Sequence, residues 1–160
     1  MVYITGDKHG DYDQVFEFCY KNNTSKADIM IVLGDAGINY YLDSKDYTLK
    51  NHLKELSITL FCIHGNHEER PYNIAGYKSK IFNNGIVYYE EKYPNILFAK
   101  DGEVYNFNGV STLVIGGAYS VDKYYRLALG YNWYESEQPN EKIKNDVRKT
   151  LKKYNNKIDV

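Results

Sequence analysis

The chain has 160 residues, of which 20 are Lys or Arg and 21 are Asp or Glu, so its formal net charge is -1. This length allows one domain with a substantial core, and a hydrophobic fraction of 43% argues against intrinsic disorder. The near-neutral charge gives no strong signal for nucleic acid. No apolar run approaches the ~20 residues of a membrane span, and no signal peptide is recognisable. We therefore expect a single-domain cytoplasmic protein with no membrane partner.

Three short apolar runs in the first half have the composition of strands buried on both faces: residues 1–5, 28–33 and 58–63. The segments between them, 11–22 and 45–56, have apolar residues at helical spacing. Strands that alternate with helices predict a parallel sheet with right-handed crossovers. The apolar face of the second helix is predicted to consist of Tyr47, Leu49, Leu53 and Leu56.

The second half has a different pattern. Short β-type segments separated by Asn, Gly and Asp-Gly predict a meander after residue 80, with a hairpin turn at 101–103. A short helix is predicted over 122–130 and a longer one over 136–154, starting near Ser136. The final residues, 157–160, resemble the start of another buried strand. The predicted fold class is α/β, with helices layered on a mixed β-sheet sandwich.

Polar residues follow each of the first three predicted strands directly. Asp7 and His9 follow the first strand, Asp35 follows the second, and Asn66 and His67 follow the third. The carboxyl ends of parallel strands meet at one edge, where α/β sheets bind ligands. Carboxylate, imidazole and amide donors suit Mn²⁺, Fe or Zn²⁺ better than Ca²⁺. Two such ions about 3.5–4 Å apart can hold a hydroxide and support phosphoryl transfer. The alternative is that both aspartates serve only in turns or helix caps.

The motifs "GDKHG", "GDAGIN" and "GNHEE", each after a strand and in this order, resemble the calcineurin-like metallophosphoesterase superfamily. The resemblance implies metal-dependent hydrolysis of a phosphate mono- or diester, whether a small molecule, a nucleotide or a phosphoprotein. It implies that Asp7, His9 and Asp35 bind one metal ion and that Asp35 and Asn66 bind a second. His67 would protonate the leaving oxygen, a contribution typically worth ~10²–10⁴-fold in rate.

The sequence departs from the family pattern at several positions. Ile38 and Asn39 stand where the protein-phosphatase branch has an Asp that orients the catalytic histidine and an Arg that binds phosphate, which disfavours a protein Ser/Thr phosphatase. The family's late histidines are missing, because none follows His67. We therefore expect a second metal site poor in ligands, and a chain that is the N-terminal part of a longer protein with an incomplete second sheet. Such a sheet exposes apolar surface and favours a homo-oligomer.

Two further residues are candidates for substrate binding. His64 replaces an arginine common in the protein-phosphatase branch, and it either contacts substrate or packs beside the site. Arg126 either binds phosphate or belongs to a structural turn and helix start. Three neighbours in the same segment could also face the metal site: Tyr119, Asp122 and Lys123. The charged run at 68–70 is expected to start a helix, with the alternative that Arg70 reaches the phosphate.

The missing histidines also favour an alternative function. The chain as given would then be a metal-poor or catalytically inactive relative that acts as a scaffold or binding subunit. Metal content and turnover distinguish this alternative from an enzyme.

Overall fold

A computed structural model describes residues 1–160. Its strands are β1 (Val2–Thr5), β2 (Ile29–Leu33), β3 (Thr59–Ile63), β4 (Lys78–Phe82), β5 (Gly85–Tyr89), β6 (Ile96–Ala99), β7 (Val104–Phe107) and β8 (Val110–Leu113). Its helices are α1 (Asp13–Asn22), α2 (Ser44–Leu53), α3 (Lys123–Ala128) and α4 (Glu141–Lys153), with 3₁₀ turns at Pro71–Asn73 and Glu135–Glu137.

Six strands form one mixed sheet in the order β1-β2-β3-β6-β5-β4, and β7 and β8 form a small second sheet. β1, β2, β3 and β6 are parallel, whereas β5 and β4 join the far edge antiparallel. One face of the large sheet packs on α1 and α2 through residues such as Val15 and Leu53. The other face packs on the second sheet through Phe61, Tyr105 and Phe107. The predicted layered α/β fold is confirmed.

The predicted meander is confirmed for β5 and β6, which pair in chain order as antiparallel neighbours, but its turn at 101–103 is wrong. Asp101 and Gly102 connect β6 to β7, which lie in different sheets. The hairpin turns are instead at Asn83-Asn84 and Asn108-Gly109, where all four residues have positive φ angles, as two-residue hairpin turns of the primed type require. The sequence analysis also missed β4, because this edge strand is polar and its side chains are mostly exposed.

The predicted inward face of α2 is wrong at Tyr47 and confirmed at its three leucines, which pack in or against the core: Leu49, Leu53 and Leu56. Tyr47 is 55% exposed, whereas Asp46 and Lys50 are buried. Lys50 donates to Glu90 Oε2 at 2.5 Å, and Asp46 accepts the backbone N–H groups of residues 41 and 42. Charged groups are buried only when they are paired, and these partners lie outside the helix.

The last helix begins later than predicted. Its N-cap is Asn140, whose side chain accepts the N–H of Ile143 at 3.0 Å, while Ser136 lies in a separate 3₁₀ turn. The strand predicted over 157–160 is wrong: these residues bond to Ser111 and Leu113 of β8 but form no strand and are largely exposed. None of the helices combines the length and apolar character needed to cross a membrane.

Candidate metal centre

The loops that follow β1, β2 and β3 are joined at Asp35. Its backbone carbonyl accepts the N–H groups of Lys8 at 3.0 Å and His9 at 2.7 Å. Its carboxylate accepts the N–H of His67 at 3.0 Å through Oδ1. Asp35 is only 4% exposed, so it forms the buried centre of the three loops.

The backbone at this centre is unusual. Asp35 and His9 have φ angles of 40° and 45°, in the left-handed region that side chains rarely adopt. A Cβ at Gly65 would lie 1.9 Å from Asp35 Oδ1, and a Cβ at Gly37 would lie 2.1 Å from the backbone N of Gly10. The loops can approach this closely only because these two positions are glycine. Strained conformations of this kind cluster at functional sites.

The predicted side chains meet at this sheet edge. Asp35 Oδ2 lies 2.9 Å from His67 Nδ1 and 3.7 Å from His9 Nε2, and the donor atoms of these three residues lie within 4.8 Å of one another. Asp7 Oδ2 is 3.9 Å from His9 Nε2. A cleft of about 320 Å³ is lined by Asp7, Asp35 and Asn66 together.

This donor set fits a divalent metal ion. Asp7 and Asp35 supply carboxylate oxygens, His9 supplies an imidazole nitrogen and Asn66 supplies a neutral amide oxygen, a mixture suited to Mn²⁺, Fe or Zn²⁺. The structure also brings His67 Nδ1 within reach of the same cluster.

The cluster of donor atoms includes no histidine besides His9 and His67. The ring of His52 packs against Phe16, 4.4 Å between centroids, on the helical side of the sheet. His64 is buried, and neither of its ring nitrogens has a hydrogen-bond partner. Asp35 and Asn66, the two residues predicted to bind a second ion, line the same cleft.

His67 interacts with a second carboxylate, that of Asp122. Burial lowers the pKa of His67, but its hydrogen bonds to Asp122 at 3.1 Å and Asp35 at 2.9 Å outweigh this effect, and the net shift of the pKa is upward. The hydrogen bond from His67 in turn lowers the pKa of Asp122.

The two predicted substrate-binding residues lie in packed surroundings. The side chain of His64 is 3% exposed, and burial together with nearby Arg70 lowers its pKa. Arg126 is also 3% exposed, and its guanidinium donates to both carboxylate oxygens of Glu137 at 3.0 and 2.6 Å. Of the two alternatives for each residue, the geometry favours packing beside the site for His64 and a structural role for Arg126.

Sequence reasoning missed three polar residues around the site. Ser120 Oγ lies 3.2 Å from Asn66 Nδ2 and 2.6 Å from Glu137 Oε2. Glu68, predicted as part of a helix start, is fully buried outside any helix and accepts the N–H of Gly65 at 2.7 Å. Burial raises the pKa of Glu68 to about 8. No motif marks Ser120, and the motif that contains Glu68 does not indicate its burial, because the burial of both residues depends on chain segments far away in sequence.

Comparisons with known proteins agree with this geometry. A family model described as calcineurin-like phosphoesterase matches residues 1–159. Searches of curated proteins and of solved structures each gave no match.

Proposed function

Because this chain belongs to the calcineurin-like phosphoesterase family, we propose that it hydrolyses a phosphate mono- or diester with the help of two divalent metal ions. The observation that carries the proposal is the convergence of strand-end donors around the buried carboxylate of Asp35. Family membership alone supports a metal-dependent phosphoesterase, and the arrangement of the donors supports the finer assignment below.

Four residues would hold the ions. We assign Asp7, His9 and Asp35 to the first ion, and Asp35 with Asn66 to the second. Bound divalent ions would supply Lewis acidity and a nucleophile at neutral pH, and Mn, Fe and Zn all match these donors. Asn66 contributes an oxygen without adding negative charge, and Ser120 restricts its side chain through the 3.2 Å contact to Nδ2.

His67 is proposed to be the proton donor. When a water oxygen loses a proton to solvent and bonds to phosphorus, the ester P–O bond breaks, and the leaving oxygen takes the proton from His67 as it becomes a hydroxyl group. The position of the ring supports this role, because Nδ1 faces the donor cluster and the side chain is 27% exposed. Proton donation by a positioned side chain typically contributes ~10²–10⁴-fold in rate.

The cleft supports a small substrate. Its volume of about 320 Å³ lies at the lower end of the range for small-molecule sites, which fits a small phosphate ester or a nucleotide. A phosphoprotein would have to insert its phosphorylated side chain into the same cleft.

The test combines metal analysis with turnover of an aryl phosphate monoester and an aryl phosphate diester. With added Mn²⁺, the chain is expected to hydrolyse at least one of them. Asp35→Asn should lose both metal binding and turnover, because it removes a carboxylate shared by both ions. His67→Ala should lower kcat by about 10²–10⁴-fold and retain the metal.

His52→Ala is the matched control, since His52 packs on Phe16 away from the cleft. Its metal binding and turnover should equal those of the unmodified chain. Metal binding without turnover of either ester would instead support the scaffold or binding-subunit alternative. Loss of metal in His67→Ala would make His67 a ligand and contradict its assignment as proton donor.

A further inference from the structure

The ring of His67 contacts two carboxylates, one inside the donor cluster and one outside it. Nδ1 lies 2.9 Å from Asp35 Oδ2, in the donor cluster, and Nε2 lies 3.1 Å from Asp122 Oδ2. Asp122 is the N-cap residue of α3 and is 55 residues away in sequence. Because Asp122 is outside the donor cluster, its carboxylate can fix the ring without binding metal.

Asp122, whose side chain is 37% exposed, lies beside a buried ion pair between Arg126 and Glu137. Arg126, one helical turn later, places Nε 3.3 Å from Asp122 Oδ1. The same guanidinium donates to Glu137, which is 1% exposed. Breaking a buried pair of this kind leaves an uncompensated charge, so the arrangement resists displacement. Glu137, Arg126, Asp122 and His67 thus form one row of groups that ends at the metal centre.

The same row also reaches the neighbouring metal donor, Asn66. Its backbone carbonyl lies 3.4 Å from an Arg126 guanidinium nitrogen and 3.0 Å from Ser120 Oγ. The segment 120–137 therefore fixes both Asn66 and His67. No carboxylate approaches from position 38, because Ile38 is fully buried in the core cluster beside the helices.

We propose that Asp122 is a positioning residue for His67. Its carboxylate accepts the Nε2–H, keeps that proton on Nε2 and directs Nδ1 towards the leaving oxygen. The proton that is transferred leaves from Nδ1, and the Nε2–H bond remains intact. This inference rests on the proposed function, in which His67 donates the proton.

The test uses Asp122→Asn. Arg126 Nε lies 3.3 Å from the Oδ1 position, and the positive charge of the guanidinium favours the amide oxygen there, so the amide NH₂ is expected to face His67 Nε2. His67 Nε2 must then accept, and the neutral ring becomes the Nδ1–H tautomer. The matched control is Asp13→Asn, an exposed Asp→Asn change at the start of α1.

Two readouts are measured. In turnover of the aryl phosphate esters, kcat of Asp122→Asn should fall by about 10–100-fold, with KM and metal content little changed. Asp122→Glu, which keeps the acceptor, should recover part of this loss. In ¹⁵N imidazole NMR spectra of the metal-free chain at one fixed pH, the His67 Nε2 signal should change from the protonated to the unprotonated pattern, because Asp122→Asn removes the acceptor of the Nε2–H. His67→Ala identifies that signal, and Asp13→Asn should leave both readouts unchanged.

The outcomes separate this inference from the proposed function. If the chain hydrolyses an ester but Asp122→Asn changes neither kcat nor the His67 signals, the positioning role is overturned and the function stands. A change in KM alone also overturns it. If neither ester is hydrolysed but the tautomer changes, the proposed function fails while the control of the ring by Asp122 is supported.

Discussion

At the scale of single residues, the site depends on close backbone contact around Asp35. A Cβ at residue 65 would meet Asp35 Oδ1 at 1.9 Å and Asp35 N at 2.1 Å. Both contacts are far below van der Waals distance, and one involves backbone that cannot move aside easily. Asp35 must therefore shift if Gly65 is replaced.

We predict that Gly65→Ala abolishes Mn²⁺ binding, as measured by isothermal titration calorimetry, and lowers the free energy of unfolding. Gly6→Ala is the control, because a Cβ at Gly6 meets nothing within 4 Å and the residue does not have a positive φ. Equal Mn²⁺ affinity in Gly65→Ala and Gly6→Ala would show that the position of Asp35 is not critical.

The sequence revealed the metal donors because each follows a strand, and parallel strands bring such positions together. It could not reveal the surroundings of His64, Glu68 and Arg126. Each of these is buried by contacts with distant segments, such as Gly116 against His64 and Glu137 against Arg126. Residue type and local spacing do not predict those contacts.

At the scale of elements, the start of β2 is joined to the start of the chain by Asp28. The Met1 amino group donates to Asp28 Oδ1 at 2.6 Å, and the Ser25 N–H donates to Oδ2 at 2.8 Å. The hydrogen bond from the amino group, followed by those from Ser25, lowers the pKa of Asp28 to about 2 from its ordinary 3.8. The ionised carboxylate therefore stabilises the folded state.

We predict that Asp28→Asn lowers the free energy of unfolding of the chain with a free amino terminus. Since the folded-state pKa is the lower one, the stabilisation is complete above the unfolded pKa of 3.8 and is lost as the pH falls towards about 2. Urea unfolding at several pH values measures the free energy of unfolding of Asp28→Asn and of the unmodified chain. The difference between the two free energies should be constant near neutrality and should narrow below pH ~4. A difference that widens on acidification would contradict the prediction.

Apolar patterns predicted α1, α2, α4 and β1 to β3 because those elements bury apolar side chains. They failed where charged residues are buried in pairs. Lys50 and Asp46 face inward on α2 because Glu90 and the backbone at residues 41 and 42 satisfy them. A pattern of hydrophobicity cannot show that such partners exist.

At the scale of the whole molecule, Arg70 connects distant parts of the chain. It is 2% exposed, and its guanidinium pairs with Asp101 between β6 and β7. It also donates to the carbonyl of Gly116 at 3.1 Å and to that of Ser136 at 2.7 Å. These contacts join the third metal-site loop to both sheets and to the segment before α4.

We predict that Arg70→Met lowers the free energy of unfolding by about 3–5 kcal/mol, because Asp101 is left buried without its counter-charge. Urea unfolding measures the change. Arg148→Met is the control, since the Arg148 side chain is 60% exposed. A loss no larger than that of the control would mean that water or another cation compensates Asp101.

The overall architecture was predictable because strands that alternate with helices can bury their apolar faces in only a few layered arrangements. The division of the later strands into two sheets was not, since it depends on how Phe61 packs with Tyr105 and Phe107 across the layers. Self-association stays a prediction: Ile4 and Leu33 on the first two strands are 66% and 50% exposed.

The central claim is that the strand-end side chains gather around divalent metal ions. Anomalous diffraction from crystals grown with Mn²⁺ tests it most directly. The account predicts strong anomalous peaks in contact with the side chains of Asp7, His9, Asp35 and Asn66. Mn²⁺ peaks only elsewhere on the molecule, with these four side chains turned away from one another, would contradict it.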